Sequence, residues 1–153
     1  MYSKNYSIIM PPPNITGVLH IGHMLNNTIQ DVLIRYNKNK GVKTYWIPGL
    51  DHAAIATESK VFEYLKEEKN IKKKDITREE FLKYCWEWKE KYGNTIIEQI
   101  KGLNCLVNWD KLHFTLDKDV SDLVKDTFIK MFNEGLIYKS NKIINWDCKN
   151  KTA

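Results

Sequence analysis

The apolar positions of the chain fall into two registers, short β-rich runs and longer stripes at helical spacing. Residues 6–10, YSIIM, are β-formers halted by Pro11 and predict a buried strand. Prolines 11–13 exclude a helix and hold the chain extended, and Thr16-Gly17 supplies a turn. From His20 onward, Ile21, Leu25, Ile29, Val32, Leu33 and Tyr36 share one helical face. They predict a helix to about Asn39, stopped by Gly41. A second strand over 44–47 ends at Pro48-Gly49, and a second helix starts near Asp51 in DHAAIATESKVFEYL. Strand, loop, helix, strand, loop, helix is the order of a parallel α/β unit, with its site at the carboxyl ends of the strands.

Beyond it, KEEKNIKKKDI is poor in apolar residues and predicts a solvated helix end and loop. Thr77 and Glu80 have the spacing of a capping box that opens a long helix. Phe81, Cys85, Trp88, Tyr92, Ile96, Ile100 and Leu103 form its inward stripe. A further helix over 120–134 should place Val124, Phe128, Met131 and Phe132 inside, with Gly135 at C′ and Leu136 as its hydrophobic contact. LIYKSNKIINW predicts a hairpin, two β-rich runs around Ser140-Asn141. VNWDK (107–111) echoes INWDC (144–148), which predicts two strand ends, each with Trp in the core and Asp at a turn.

Composition narrows the class. With 153 residues, 42% hydrophobic and 28% charged, the chain has the length of one soluble domain with a real core. No apolar run approaches the roughly 20 residues of a membrane span, and MYSKNYSIIM lacks a secretory signal, so a cytoplasmic location is expected. Cys85, Cys105 and Cys148 contain no CxxC pair and read as reduced structural thiols, with no structural metal expected. A net charge of +5 permits a polyanionic partner, although a bias towards Lys, Asn and Ile explains the basicity equally well.

The candidate chemistry begins at HIGH, residues 20–23. His20 and His23 fall in the first turn of a helix that follows a strand and a Pro/Gly loop. Unpaired N–H groups and the positive end of the helix dipole make that turn a natural phosphate seat. Imidazoles there can donate to phosphate oxygens and stabilise charge developing on them. Gly22 permits close approach of a nucleotide. The competing readings are a metal pair, which lacks a nearby third ligand, and two exposed helix histidines. Asp51, at the end of the second strand, suits an ammonium group or a plain helix N-cap. In WEW, Trp86 and Trp88 suit a stacking surface or, more simply, core packing.

PPPNITGVLHIGH, DVLIRYNKNKG, WIPGLDHAAIAT, WEWK, NWD and the later INWD, in this order, closely resemble class I aminoacyl-tRNA synthetases. Within that family they resemble the start of the valine-specific branch, which PPPN-x-TG and DHA-x-IAT favour over the isoleucine branch. The resemblance implies the first half of a Rossmann-like (HUP) parallel-sheet α/β nucleotide-binding domain with a helical insertion. It places residues 1–153 ahead of the editing insertion, with the KMSKS half and the anticodon-binding domain outside them. It implies ATP-dependent activation of valine, by in-line attack of the carboxylate with pyrophosphate leaving, and transfer to tRNA(Val). Mg²⁺ is expected with ATP, no membrane is expected as a partner, and the full-length family is monomeric. A separate C-terminal half would complete the enzyme if it is split. His20 and His23 then take the catalytic role; Asn14, Thr16, Gly17, His20, Gly22 and His23 hold ATP; Pro12, Asn14 and Asp51 hold the amino acid. Ala54 departs from the Gly of many members, and Glu58 and Ser59 from a common Gln. Other readings are a non-catalytic nucleotide- or tRNA-binding remnant and an isoleucine-type fragment. Another HxGH nucleotidyltransferase is opposed by DHA-x-IAT and WEW.

Overall fold

The computed structural model describes residues 5–149 and 152–153. The chain divides into two compact units, Met1–Asp117 and Lys118–Ala153.

In the larger unit, strand β1 (Asn5–Ile9) lies parallel to β2 (Lys43–Ile47), with Tyr6 opposite Thr44 and Ile8 opposite Trp46. Helix α1 (Ile21–Asn39) is the crossover between them. A second parallel pair joins β3 (Gly49–Leu50) to β4 (His113–Phe114). Helices α2 (Ala54–Glu68) and α3 (Arg78–Gly102) complete the unit. The expected parallel α/β arrangement is present.

Strand β1 is not buried as expected. Ile9 is 77% exposed, and within 6–10 only Met10 is fully buried, with Tyr6 and Ile8 packed half-buried against the core. The physical reason is pairing: β1 has β2 as its sole strand neighbour among the described residues, so one edge and much of one face stay open. Asn108 closes part of the other edge of β2. Its side-chain oxygen accepts from Trp46 N–H at 2.7 Å, and its own N–H donates to Trp46 O at 2.9 Å.

Helix α1 has its expected length, but its apolar stripe is not its buried face. Its buried residues are Asn27, Gln30 and Ile34, whereas Leu25, Ile29, Val32 and Tyr36 are each more than half exposed. Polar burial is tolerated because it is satisfied: Trp46 Nε1–H donates to Gln30 Oε1 at 3.0 Å inside the core. On the same side, Asp31 accepts from Leu106 N–H at 2.8 Å and pairs with Arg35, which reaches Asn104 O at 2.6 Å. The helix stops as the sequence predicts. Gly41 has φ 76°, and its N–H and that of Val42 return to Lys38 O and Asn37 O, a Schellman closure.

Helix α2 begins at Ala54, later than expected near Asp51. Asp51 still pairs in sheet fashion with Asn14, and Ala53 and Ala54, the N-cap and first residue of the helix, both take positive φ, 49° and 37°. Helix α3 opens on the predicted capping box: Glu80 N–H donates to Thr77 Oγ1 at 3.3 Å, and Thr77 N–H to Glu80 Oε2 at 2.9 Å. Its stripe faces inward, with Phe81, Ile96 and Ile100 buried. The main core gathers Met10, Ile15, Ile34, Trp46, Leu50, Ile96, Ile100 and Phe114. A second cluster, Val61, Leu65 and Phe81, joins α2 to α3, with Phe62 stacked on Phe81 at 3.9 Å.

The smaller unit is helix α4 (Lys118–Asn133) and the segment after it. Gly135 (φ 72°) closes α4 as expected, with Leu136 N–H returning to Met131 O. Val124, Phe128, Met131 and Phe132, expected inside, are all exposed. The expected hairpin does not form: residues 137–146 contain no strand, and Ile143 is 98% exposed. A two-stranded hairpin without a covering layer is marginal, and its apolar side chains find no surface here. The two NWD segments part company for the same reason. Trp109 packs on the main core from a short 3₁₀ turn, while Trp146 is largely exposed.

Candidate functional site: a helix N-terminus and a strand end

His20 is the N-cap of α1, with extended backbone (φ −121°, ψ 175°). Its Nδ1 accepts the Gly22 N–H at 3.1 Å, while its own N–H donates to His23 Nδ1 at 3.2 Å. The two rings lie 3.9 Å apart, tilted by 45°. The first turn thus satisfies two of its N–H groups with its own imidazoles. Burial, and after it the neighbouring His20, pushes the His23 pKa below its ordinary value. Both effects favour a neutral ring.

The loop that delivers His20 is pinned to α3 at both ends. Trp88 Nε1–H donates to Ile15 O at 2.7 Å, and Gln99 Oε1 accepts from Leu19 N–H at 2.9 Å. Neither residue was expected to serve the loop. Trp88 stood on the inward stripe of α3, and the signal for more was its indole N–H, which needs an acceptor when buried. Between these anchors Thr16 and Gly17 form the expected bend. A Cβ on Gly17 would meet nothing, so nothing in the structure explains glycine there.

Asp51 and Asn14 come together at the ends of the neighbouring strands. They form a parallel bridge, with Asp51 N–H donating to Pro13 O at 2.9 Å and Ile15 N–H to Asp51 O at 3.0 Å. Pro12 packs on Gly49, where a Cβ would stand 3.3 Å from Pro12 Cβ. Asp51 is not the N-cap of α2, which is Ala53. Its Oδ1 instead accepts the Ala53 N–H at 3.0 Å and faces Thr115 Oγ1 at 3.4 Å and His52 Nδ1 at 3.5 Å. Thr115 also accepts from His52 N–H at 2.9 Å and lies 2.6 Å from His52 Nδ1. His52 and Thr115 were missed in the sequence. Thr115 follows β4, 64 residues away from Asp51, and only the parallel β3–β4 pair brings it there. No hydrogen bond joins the histidine pair to the Asp51 group among the described residues. Loop 15–19 links them along the chain.

Beside His52 opens an apolar-lined cavity of about 130 Å³, walled by Ile15, Thr57, Cys85, Trp86 and Phe114. The tryptophans of WEW therefore split: Trp88 anchors the loop, and Trp86, 49% exposed, lines this cavity. Burial pushes the Cys85 thiol up to about 11, in keeping with a structural thiol. Among the described residues no helix is long and apolar enough to cross a membrane.

This arrangement can be set beside known proteins. Valine–tRNA ligase of Christiangramia forsetii is 51% identical over 148 residues, 97% of this chain and 17% of that protein. The valine–tRNA ligase of Petrotoga mobilis is 52% identical over 141 residues, 92% of this chain and 16% of its own length. The chain thus spans about one sixth of these relatives. Among solved structures, the LeuRS of the Agrobacterium radiobacter K84 agnB2 LeuRS–tRNA–LeuAMS complex shares the fold, with a TM-score of 0.74 at 18% identity. That likeness covers 99% of this chain and 17% of that one. Residues 2–153 match the family described as tRNA synthetases class I (I, L, M and V), and the chain belongs to that family.

Proposed function

We propose that this chain is the opening part of a valine-activating catalytic domain. The α1 N-terminus receives the phosphates of ATP, and the end of β3 receives valine. The observation that carries this reading is the placement of both anchors on one parallel α/β unit whose valine–tRNA ligase relatives are about half identical to it. His20 and His23 would donate to oxygens of the α-phosphate, where charge builds as the valine carboxylate attacks and pyrophosphate departs. Asn14, Thr16, Gly17 and Gly22 line the approach of ATP. The Asp51 carboxylate, with Oδ1 already held by Ala53 and Thr115, leaves Oδ2 to accept from the substrate ammonium, beside Pro12 and Asn14. Catalysis of this kind is orientation and electrostatics, with no nucleophile of the protein's own.

Transfer to tRNA(Val) in the cytoplasm belongs to the same reading, as does the domain boundary ahead of the editing insertion. Among the described residues no three His, Cys, Asp or Glu side chains are grouped to hold a metal. An Mg²⁺ ion arriving with ATP would take its ligands from the triphosphate.

The test is a chimera in which this chain replaces the matching 148 residues of the Christiangramia forsetii enzyme. Valine-dependent pyrophosphate exchange is expected. Asp51→Asn should lower it by about 10- to 100-fold, the worth of one charge-assisted hydrogen bond. Exchange driven by isoleucine and not valine would establish the isoleucine reading. Salt-sensitive tRNA binding by this chain alone, with no exchange in the chimera, would establish the binding remnant.

A further inference from the structure

The sequence HIGH contains its own explanation once the ring atoms are placed. His20 Nδ1 accepts from Gly22 N–H, and His23 Nδ1 accepts from His20 N–H. An imidazole nitrogen that accepts carries no proton, so neither ring can be an imidazolium while these bonds persist. Each neutral ring then carries its one proton on Nε2. Neither Nε2 has a hydrogen-bond partner among the described residues, and His20 is exposed. Gly22 enters the same device. A Cβ there would lie 2.9 Å from His20 Cε1 and 3.1 Å from His20 Nδ1, closer than such atoms pack. Its φ is not in the left-handed region, so backbone freedom is not what glycine supplies.

We propose that HIGH is a self-capping helix start. His20 and His23 are both locked as neutral rings protonated on Nε2, offering a phosphoryl group two uncharged N–H donors, and Gly22 is the residue that admits the His20 ring. What the donors serve rests on the ATP reading above; the lock itself does not. The arrangement accounts for the spacing. The reciprocal bond needs the N-cap and N3 positions, and the ring of the first histidine covers the N2 position. A pre-locked neutral donor also spares a charged partner the cost of reorganising as the reaction proceeds.

The tautomers can be read on the whole chain, without nucleotide, from long-range ¹H–¹⁵N correlations of ¹⁵N-histidine protein near pH 7.5. His23→Gln and His20→Asn serve for assignment among the four histidines. The expected result is that both rings favour the Nε2–H form by at least about fivefold, as one native hydrogen bond supplies. A dominant Nδ1–H form in either ring overturns the proposal. Gly22→Ala should leave helix content undiminished, because Ala is the better helix former, yet release the His20 tautomer to a mixture. An unchanged His20 pattern in that variant overturns the role given to Gly22. His20→Asn separates the cap from the donor: an asparagine N-cap should hold the thermal midpoint near wild type while ATP affinity falls about tenfold or more. Equal loss of both overturns the division of labour. ATP affinity of the unsubstituted chain is a separate measurement, so failure of the ATP reading and failure of the lock are told apart.

Discussion

At the scale of single residues, the site combines well-satisfied polar groups with local backbone strain. Asp51 is held by an N–H and faced by a hydroxyl, and the two residues after His52 take positive φ without being glycine. Left-handed backbone costs an L-residue about 1 kcal/mol or more, and such strain collects at functional sites. At Ala54 the strain is explicit, because φ is 37° there. Ala54→Gly should stabilise the chain by about 1 kcal/mol, the reverse of its effect within a helix, where Gly costs about that much. Urea unfolding checks it, and a loss of stability would mean that Ala54 is not strained. The place of Asp51 was legible because it follows a strand end. Thr115 was not, since nothing local in the sequence announces a partner 64 positions away.

At the scale of elements, helix boundaries were the most legible feature, because caps are local chemistry. Thr77-Glu80, Gly41 and Gly135 each act where the sequence places them. Orientation was legible where an apolar stripe found its cover within the described residues: the stripe of α3 faces inward as read, while that of α1 is exposed. The caps at the two helix starts also set separate pH windows. His23 is held below its reference pKa of 6.5 by burial and then by His20, so the unfolded chain binds its proton more readily than the folded one. The stabilisation is therefore complete above about 6.5 and declines as pH falls from there through the lower folded pKa. Glu80, held below its reference 4.5 chiefly by the Thr77 backbone N–H, keeps its contribution above about 4.5 and loses it as pH falls through its lower folded pKa. Urea midpoints of the chain and of His23→Gln, which keeps an acceptor without titrating, should draw apart between pH 7 and 5, the wild type losing more. Parallel curves would remove His23 from the cap.

At the scale of the whole molecule, the larger unit has its core on one side of α1 and an uncovered apolar stripe on the other. Leu25, Ile29 and Val32 are 62%, 55% and 59% exposed, while Ile34, on the same helix, is 1% exposed. The period of 3.6 was read correctly, but periodicity reports that a face is apolar, not which neighbour covers it. The valine–tRNA ligase relatives are about six times as long as this chain, and a continuous apolar helix face of this kind marks an interface. The two faces therefore carry different energies, and substitution separates them. Ile34→Ala should cost the chain about 2–5 kcal/mol, the loss from a filled core. Ile29→Lys should change its stability by no more than about 0.5 kcal/mol, as at an exposed position, and should reduce self-association. In the chimera with the remaining sequence of a relative, the same Ile29→Lys should cost several kcal/mol, because a lysine would then be buried without a partner. Urea unfolding of the chain, its two variants, the chimera and the chimera's Ile29→Lys variant decides it. If Ile29→Lys destabilises the isolated chain as much as Ile34→Ala, the stripe is already core. If it is neutral even in the chimera, the relative's remaining sequence does not cover that face.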